Sequence, residues 1–469
     1  MRKPPRGFTL SGRRILALSI PLISLVLAGC AGRAATAPRH MRVVQGQINS
    51  RAVSPVRYAN LSPVERALIV SIEHRCFRYF WDEMNPRNGL IPDRARVRGG
   101  GAHVASIAAE GFGLTALCIG DEHHWEPHAR IYRRVLTALR FFRHKAQCVH
   151  GFYYHFLGMR SGRRQWNCSV SSIDTALLMA GILTVREHFA GTGAAQIAAY
   201  LYHRVNWPWM LDGGKTLSMG WKPGSGFLPY RWNQFNEGLL IYLLGIGSPT
   251  HPLPAKSWDA WRRGPVCTYA GYTFMSCPPL FTHQYPQAWF KLRGLCDHYA
   301  DYFRDSRYAT LANRVMCVHL AKRFPDYGPD SWGITASDGA SGYMAWGGPT
   351  ATPNVNGTLV PCAPGGSLPF APRRCIEDLM AMQKKFHNLH IYGRYGFVDA
   401  FNPLTGWVDK DVLGIDQGIT LIMAENYRTG FVWRTFMADP AAKRALRLAG
   451  FHKVTAADAL PKNSSVFSR

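Results

Sequence analysis

A chain of 469 residues with 47% hydrophobic content can bury one large core or two ordinary ones. Its 45 Gly and 30 Pro fall short of the bias that marks general disorder. The formal charge of +26 comes from scattered Arg rather than a patterned stripe, so it points to an anionic membrane surface or an acidic environment and not to nucleic acid.

The N-terminus reads as an export signal. Arg2, Lys3, Arg6, Arg13 and Arg14 are followed by the short apolar run "ILALSIPLISLV" and then by "LAGC", ending at Cys30. The run is too short and wrongly flanked for a stable membrane span. Leu-Ala-Gly-Cys resembles a bacterial lipobox, which implies a signal over residues 1–29, cleavage before Cys30 and lipidation of that cysteine. Arg13-Arg14 also fits twin-arginine export, but its flanks match weakly. Ala31 and Gly32 replace the Asp that often retains lipoproteins at the inner membrane, so outer-membrane anchoring is expected, facing the periplasm or the cell surface. Without the signal's five basic residues the mature chain stands near +21. Ten further cysteines are compatible with disulfides in an oxidising compartment, although Cys118, Cys296 and Cys317 lie in helical-looking apolar stretches and fit buried thiols equally well.

Residues 30–60 are Ala/Arg/Pro-rich without a period and read as a tether. Order is expected from Leu61 to about Gly450, with residues 451–469 a weakly ordered tail. Ser62, Pro63 and Glu65 make a capping box with Pro at the first helical position. Helices then follow over "VASIAAEGFGLTALCIG", "IYRRVLTALRFFRHK", "SSIDTALLMAGILTVREHF", "GAAQIAAYLYHRV", "NEGLLIYLLGIG", "AWFKLRGLCDHYADYF", "RYATLANRVMCVHLAKRF", "IEDLMAMQKKF" and "IDQGITLIMAENYRTG". They alternate with Gly/Pro/aromatic loops of unequal length. The fold class is therefore all-α, built of paired helices with long loops.

Acids at helix starts are the candidates for chemistry. Asp174 lies three residues after Ser171, a spacing that capping alone explains. Glu237 follows Asn236, a good N-cap, within the ring- and amide-rich "YRWNQFNE". Asp416 is read as an N-cap, with Gly430 closing its helix. Glu425 and Arg428 read most simply as a structural ion pair. The loops supply the company: Trp332, Asp338, Tyr343 and Trp346 in one, His283, Gln284, Tyr285 and Trp289 in another, Tyr395 and Asp399 in a third. Rings stack on pyranose faces, while acids, amides and Arg bind hydroxyls. Such residues around two separated carboxylates are the equipment of a glycosidase. Core packing accounts for many of the rings, and Asp338-Gly339 also fits a plain turn. No G-x-S-x-G elbow, Walker A, Rossmann fingerprint, H-E-x-x-H or zinc-type Cys/His spacing occurs, so no cofactor or metal is expected.

The stretches "FRYFWDEMNPRNGLIPDR", "GFYYHF", "SSIDTALL", "NEGLLIYLLGIGSPTHP", "WGITASDG", "YGRYGFVDAFN" and "IDQGITLIMAENYRTG" resemble the bacterial glucoamylase-like domain family, in the same order, from about Leu61 to about Gly450. That family includes endo-β-1,2-glucanases and is related to a domain of cyclic β-1,2-glucan synthases. The resemblance implies an (α/α)6 toroid and anomer-inverting hydrolysis of β-1,2-glucan; separately, a monomer is expected. It makes Glu237 the general acid, Asp416 a candidate base and Asp174 a further acid of the cleft. His155, Arg231, Gln284, Tyr285, Trp332, Asp338, Tyr343, Trp346, Tyr395, Asp399, Glu425 and Arg428 become candidate sugar-binding residues. Four positions depart from the family pattern. Ser169 and Arg373 replace acidic residues, Pro286-Gln287 replaces Ser-His, and Lys291 replaces Asp. Loss of negative charge near the cleft would follow, with either an anionic substituted glucan as substrate or lost catalysis. A non-catalytic glycan-binding lipoprotein and a β-glucan transglycosylase are the competing expectations.

Overall fold

The computed structural model describes residues 56–101, 103–352 and 354–455. The export signal, Cys30 and most of the tether and tail lie outside the described residues.

Six helices are buried on nearly every face: α2 (Ile107–Glu122), α4 (Ser172–His188), α6 (Leu239–Gly247), α7 (Phe281–Trp289), the single turn α9 (Cys362–Gly365) and α11 (Gly414–Arg428). A helix apolar all round must sit inside, and these form the inner layer. Helices α1 (Pro63–Glu83), α3 (His128–His144), α5 (Gly193–His203), α8 (Tyr302–Leu320) and α10 (Pro372–Lys385) bury one face only and wrap around it. The result is the (α/α)6 arrangement of paired helices. Inner helices α2 and α4 touch backbone to backbone. A Cβ on Gly111 would fall 2.1 Å from the Leu177 carbonyl, and one on Gly181 would fall 2.2 Å from that of Gly111.

The C-terminal helices complete the packing. Helix α12 (Phe431–Ala438) lies against α4, α7 and α11. There the Trp433 indole donates to the Gln287 carbonyl at 2.7 Å. Helix α13 (Pro440–Leu448) packs on α6, where Gly247 meets the Ala441 carbonyl. Among the described residues no helix is long and apolar enough to cross a membrane.

Several sequence expectations hold. The Ser62 box is complete, with Glu65 N–H on Ser62 Oγ at 3.3 Å and Ser62 N–H on Glu65 Oε2 at 2.7 Å. Gly430 closes α11 at φ +71°. Others need correction. The expected helix over 288–303 is an irregular segment with a strand at Leu295–Cys296, and the helix is instead α7, over the stretch read as a loop. Gly294 sits there at φ +77°, which a helix does not accommodate. Order also extends further: Tyr58–Asn60 forms a turn ahead of α1, and His452–Lys453 pairs with Leu295–Cys296. None of the ten described cysteines is in a disulfide, so the disulfide option is not taken up.

Candidate active site

Chain direction collects the acids at one end. Helices α2, α4 and α11 each start directly after a short strand, at Val104–Ser106, Val170–Ser171 and Asp411–Leu413. Those strands pair with Phe156–Gly158, Gly220–Lys222 and Arg94–Arg96, stapling the loops around the N-terminal ends of the inner helices. Ser106 Oγ caps Ala109 N–H and Ser171 Oγ caps Asp174 N–H at 3.2 Å. Glu110, Asp174 and Asp416 thus occupy first turns, Asp416 inside α11 rather than as its N-cap. Glu237 stands two residues ahead of α6. Asn236 does not cap that helix; its Oδ1 accepts Gly238 N–H at 2.9 Å and shapes the turn that carries Glu237.

Two forces act on these carboxylates. The helix N-terminus favours their charge, and burial opposes it. Asp416 is 4% exposed, and burial raises its pKa to about 6, with Asp338 and Asp93 adding to the rise. Hydrogen bonds from Asp399 and from the Cys362 thiol, the latter at 3.2 Å, pull the other way. Its Oδ2 is buried without a hydrogen-bond partner. Burial, then Asp416, push Asp399 well above the ordinary carboxylate range. The Tyr285 hydroxyl ties the set together. Burial raises its pKa first, then the nearby Asp416, Tyr343, Cys362 and Glu237, so Glu237 and Asp416 both lie within electrostatic reach of one buried phenol.

The polar floor continues across the inner ring. Arg94 bridges Asp93, at 3.0 Å, and Asp338. The buried His155 imidazole lies in the field of Asp93 and faces Asp174 with its Nδ1. A line of groups therefore runs from Asp416 through Asp399, Asp338, Arg94, Asp93 and His155 to Asp174. Two carboxylates that share one neighbourhood, backed by polar partners, can supply one acid and one base.

Comparison with known proteins identifies the architecture. A family model described as "Putative glucoamylase" matches residues 229–440. A crystal structure of the same description from Bacteroides uniformis is 30% identical, covers 84% of this chain and 98% of its own, and superposes with a TM-score of 0.78. The chain belongs to this glucoamylase family. The endo-β-1,2-glucanase of Chitinophaga pinensis, solved with sophorotriose and glucose, is 29% identical, with 84% of this chain and 99% of that one covered and a TM-score of 0.78. An exo-β-1,2-glucooligosaccharide sophorohydrolase of Parabacteroides distasonis is 26% identical over 85% of this chain, which spans 59% of that relative's length.

Within this glucoamylase-family fold the sequence candidates divide. Glu237, Asp416, Asp174, His155, Tyr285, Tyr343, Asp338 and Asp399 come together at the N-terminal ends of the inner helices. The others are engaged in structure. Gln284 is wholly buried and ties α7 to the α9 segment through the Ala363 carbonyl and Ser367 Oγ, both at 2.8 Å. Trp332 is fully buried in the core. The Trp346 indole fastens its hairpin through Ser337 Oγ at 2.8 Å. Tyr395 donates to Glu83 on α1 at 2.5 Å. Arg231 spends its guanidinium on the Thr216 and Leu211 carbonyls. Glu425 and Arg428 pair at 3.0 Å, three turns along α11 from Asp416, which is the simple structural reading of the sequence.

The departures from the family pattern sort the same way. Ser169 is at the site, its carbonyl accepting His155 N–H at 3.0 Å. Gln287 is buried towards the far end of α7 and bonds Ser306 Oγ at 2.6 Å. Lys291 is exposed beyond that end, and Arg373 pairs with Glu65 in the outer layer. Three of the four changes therefore leave the site's charge untouched.

Sequence reading missed Asp93, Arg94, Glu110, Cys362 and Asp409. Asp93 and Arg94 close the quoted "GLIPDR" stretch, so the signal was present there. Glu110 and Cys362 carried none, because an acid or thiol in an apolar helix reads as packing until its neighbours are known. Trp166, 47% exposed, packs its ring 5.0 Å from Phe156, beside His155, and is a rim aromatic that the loop composition did not single out.

Proposed function

We propose that this protein is an endo-β-1,2-glucanase acting with inversion, exported and lipid-anchored at the outer membrane as a single-chain enzyme. The observation that supports the reading is that Glu237 and Asp416, at the starts of different inner helices, both act on the buried Tyr285 phenol. Its class comes from the resemblance to the Chitinophaga pinensis enzyme. Glu237 gives its proton to the glycosidic oxygen as the bond to the anomeric carbon breaks. Asp416 takes a proton from the water that attacks that carbon from the opposite face. Asp174, held by Ser171 and His155, and Asp338, held by Arg94, are the polar groups available to sugar hydroxyls. Water is the only co-reactant.

Incubation with linear β-1,2-glucan and chromatography of the products tests this. A spread of short oligosaccharides and an inverted anomer at early times are expected. An intact polymer, with an active control enzyme alongside, would sink the hydrolase reading and leave a glycan-binding lipoprotein. Similarity to the Parabacteroides distasonis enzyme supports a second reading, stepwise release of sophorose. Sophorose as sole product from the first minutes would select it. Longer chains formed with added acceptor sugar would select transglycosylation.

The anchor rests on "LAGC" at Cys30. Cys30→Ala should move the protein from the outer-membrane fraction to the soluble one, and unchanged membrane recovery would reject lipidation. A scattering mass of one chain checks the monomer.

A further inference from the structure

Behind Asp416 the loops bring three acids together. One carboxylate oxygen each from Asp338, Asp399 and Asp409 lies within 4.8 Å of the other two, and all three residues are buried. They come from three segments: the Ala336–Gly339 strand, the stretch after Gly396–Phe397 and the loop before Asp411–Leu413.

The carboxylates are held in place yet left with free oxygens. Asp399 Oδ2 accepts Asp338 N–H at 2.7 Å, while its Oδ1 is buried with no group but the neighbouring Asp416 carboxyl to bond. Asp409 Oδ1 accepts Asp411 N–H at 3.1 Å, while its Oδ2 is likewise buried and unpartnered. Asp399 is 2% exposed and Asp409 9%. The backbones are fixed too, with Asp409 N–H on the Ala400 carbonyl at 3.0 Å. Arg94 is the cation that reaches this group, and it is shared between Asp93 and Asp338. One guanidinium cannot pair with all of these carboxylates, and an ionised carboxylate left buried and unpaired is strongly unfavourable.

We propose that Asp338, Asp399 and Asp409 form a calcium site that fastens these three loops together behind Asp416. Donors that are all carboxylate oxygens suit a hard cation and not zinc or copper. Calcium takes oxygens at about 2.3–2.6 Å, so three carboxylate oxygens that lie within 4.8 Å of one another can all reach one ion. Magnesium dehydrates reluctantly and usually keeps several waters, so an all-carboxylate protein set suits calcium better. The sequence pointed to no metal, because the three acids are spread over separate loops with no ligand spacing to read. The site does not depend on what the enzyme cleaves.

The test uses the whole protein, stripped with EGTA and passed into metal-free buffer. On adding calcium chloride, one calcium per chain after dialysis is expected by elemental analysis, with a rise in melting temperature of about 2–6 °C. Asp409→Asn keeps the acceptor for Asp411 N–H. It should fold by circular dichroism yet lose both the bound calcium and the shift. Absence of bound calcium and of any shift in the unaltered protein would overturn the site and leave shared protons to balance the acids. Equal calcium binding by Asp409→Asn would also overturn it, as would stabilisation by magnesium chloride alone. Should Asp409→Asn not fold, the metal content and melting shift of the unaltered chain decide the matter.

Discussion

The two ends of the inner helices carry the same kinds of residue and treat them differently. At the C-terminal end, Glu73 and Glu425 are fully buried, and Arg428 reaches both, at 2.7 and 3.0 Å. His123 adds a contact to Glu425 at 2.9 Å. One guanidinium cannot neutralise two carboxylates. Burial and the neighbouring Glu425 raise Glu73 to about 8, so it keeps a proton, while bonds from His123, Thr429 and Arg428 bring Glu425 below its ordinary range despite burial. Every charge there is answered. At the N-terminal end Arg94 faces several acids, and Asp416, Asp399 and Asp409 keep oxygens with no hydrogen-bond partner. A chain tolerates such groups where a substrate, a water or an ion completes them.

Breaking the N-terminal set should remove chemistry and spare the fold. Glu237→Gln and Asp416→Asn are each expected to lower glucan turnover by about 10²–10⁴-fold, the range for a positioned acid or base, with an unchanged melting temperature. Initial rates beside thermal denaturation check this, and wild-type rates in either variant would reject the assignment. Breaking the C-terminal set should do the reverse. Arg428→Ala leaves Glu425 charged and buried without its guanidinium, at a cost of about 3 kcal/mol in stability. Turnover per folded molecule should stay within about twofold of wild type, measured below the melting transition.

Glu110 sharpens the comparison because it sits at the active end yet behaves as a core residue. Its Oε2 accepts Ile91 N–H at 2.8 Å, and burial raises its pKa to about 8 from 4.5. The folded protein therefore holds a proton in that window that the unfolded chain releases. Stability from this group is full below about pH 4.5 and falls as the pH rises towards 8. Glu110→Gln should flatten the decline by up to about 5 kcal/mol, the worth of a shift of that size, seen as melting temperatures that converge at low pH and separate at high pH. Parallel curves for both proteins would show that Glu110 does not titrate as its burial implies.

Legibility in the sequence followed from how far each signal reached. Helix pairs were readable where the inner helix is a continuous apolar run and the outer one is periodic, as in "SSIDTALLMAGILTV" followed by "GAAQIAAYLYHRV". Helix α7 was missed because its buried face is made of His283, Gln284 and Gln287, polar residues satisfied by partners distant in sequence. Glu237, Asp174 and Asp416 were readable as acids at helix starts, although capping accounts for that position alone. What gave them a function was their shared company, and Tyr285 shows it only in three dimensions. Rings misled most, since Trp332, Trp346 and Tyr395 lie in Gly-rich loops that resemble a sugar cleft while the folded chain turns them inward.

Tyr395 offers the smallest effect and the cleanest separation of loop composition from loop function. Its hydroxyl donates to Glu83 on α1, and its ring meets Tyr79 edge-on at 5.7 Å, so the residue fastens the Tyr392–Gly393 hairpin to the outer layer. Tyr395→Phe keeps the ring and removes one hydrogen bond to a carboxylate, for an expected loss of about 1 kcal/mol, read as a melting shift of about 2–3 °C. KM and kcat on β-1,2-glucan should both be unchanged, because the hydroxyl is spent on Glu83 and the site's carboxylates gather near Tyr285 instead. A several-fold rise in KM with no melting shift would return Tyr395 to the sugar cleft, and with it the view that aromatic loops of this chain mark the binding surface.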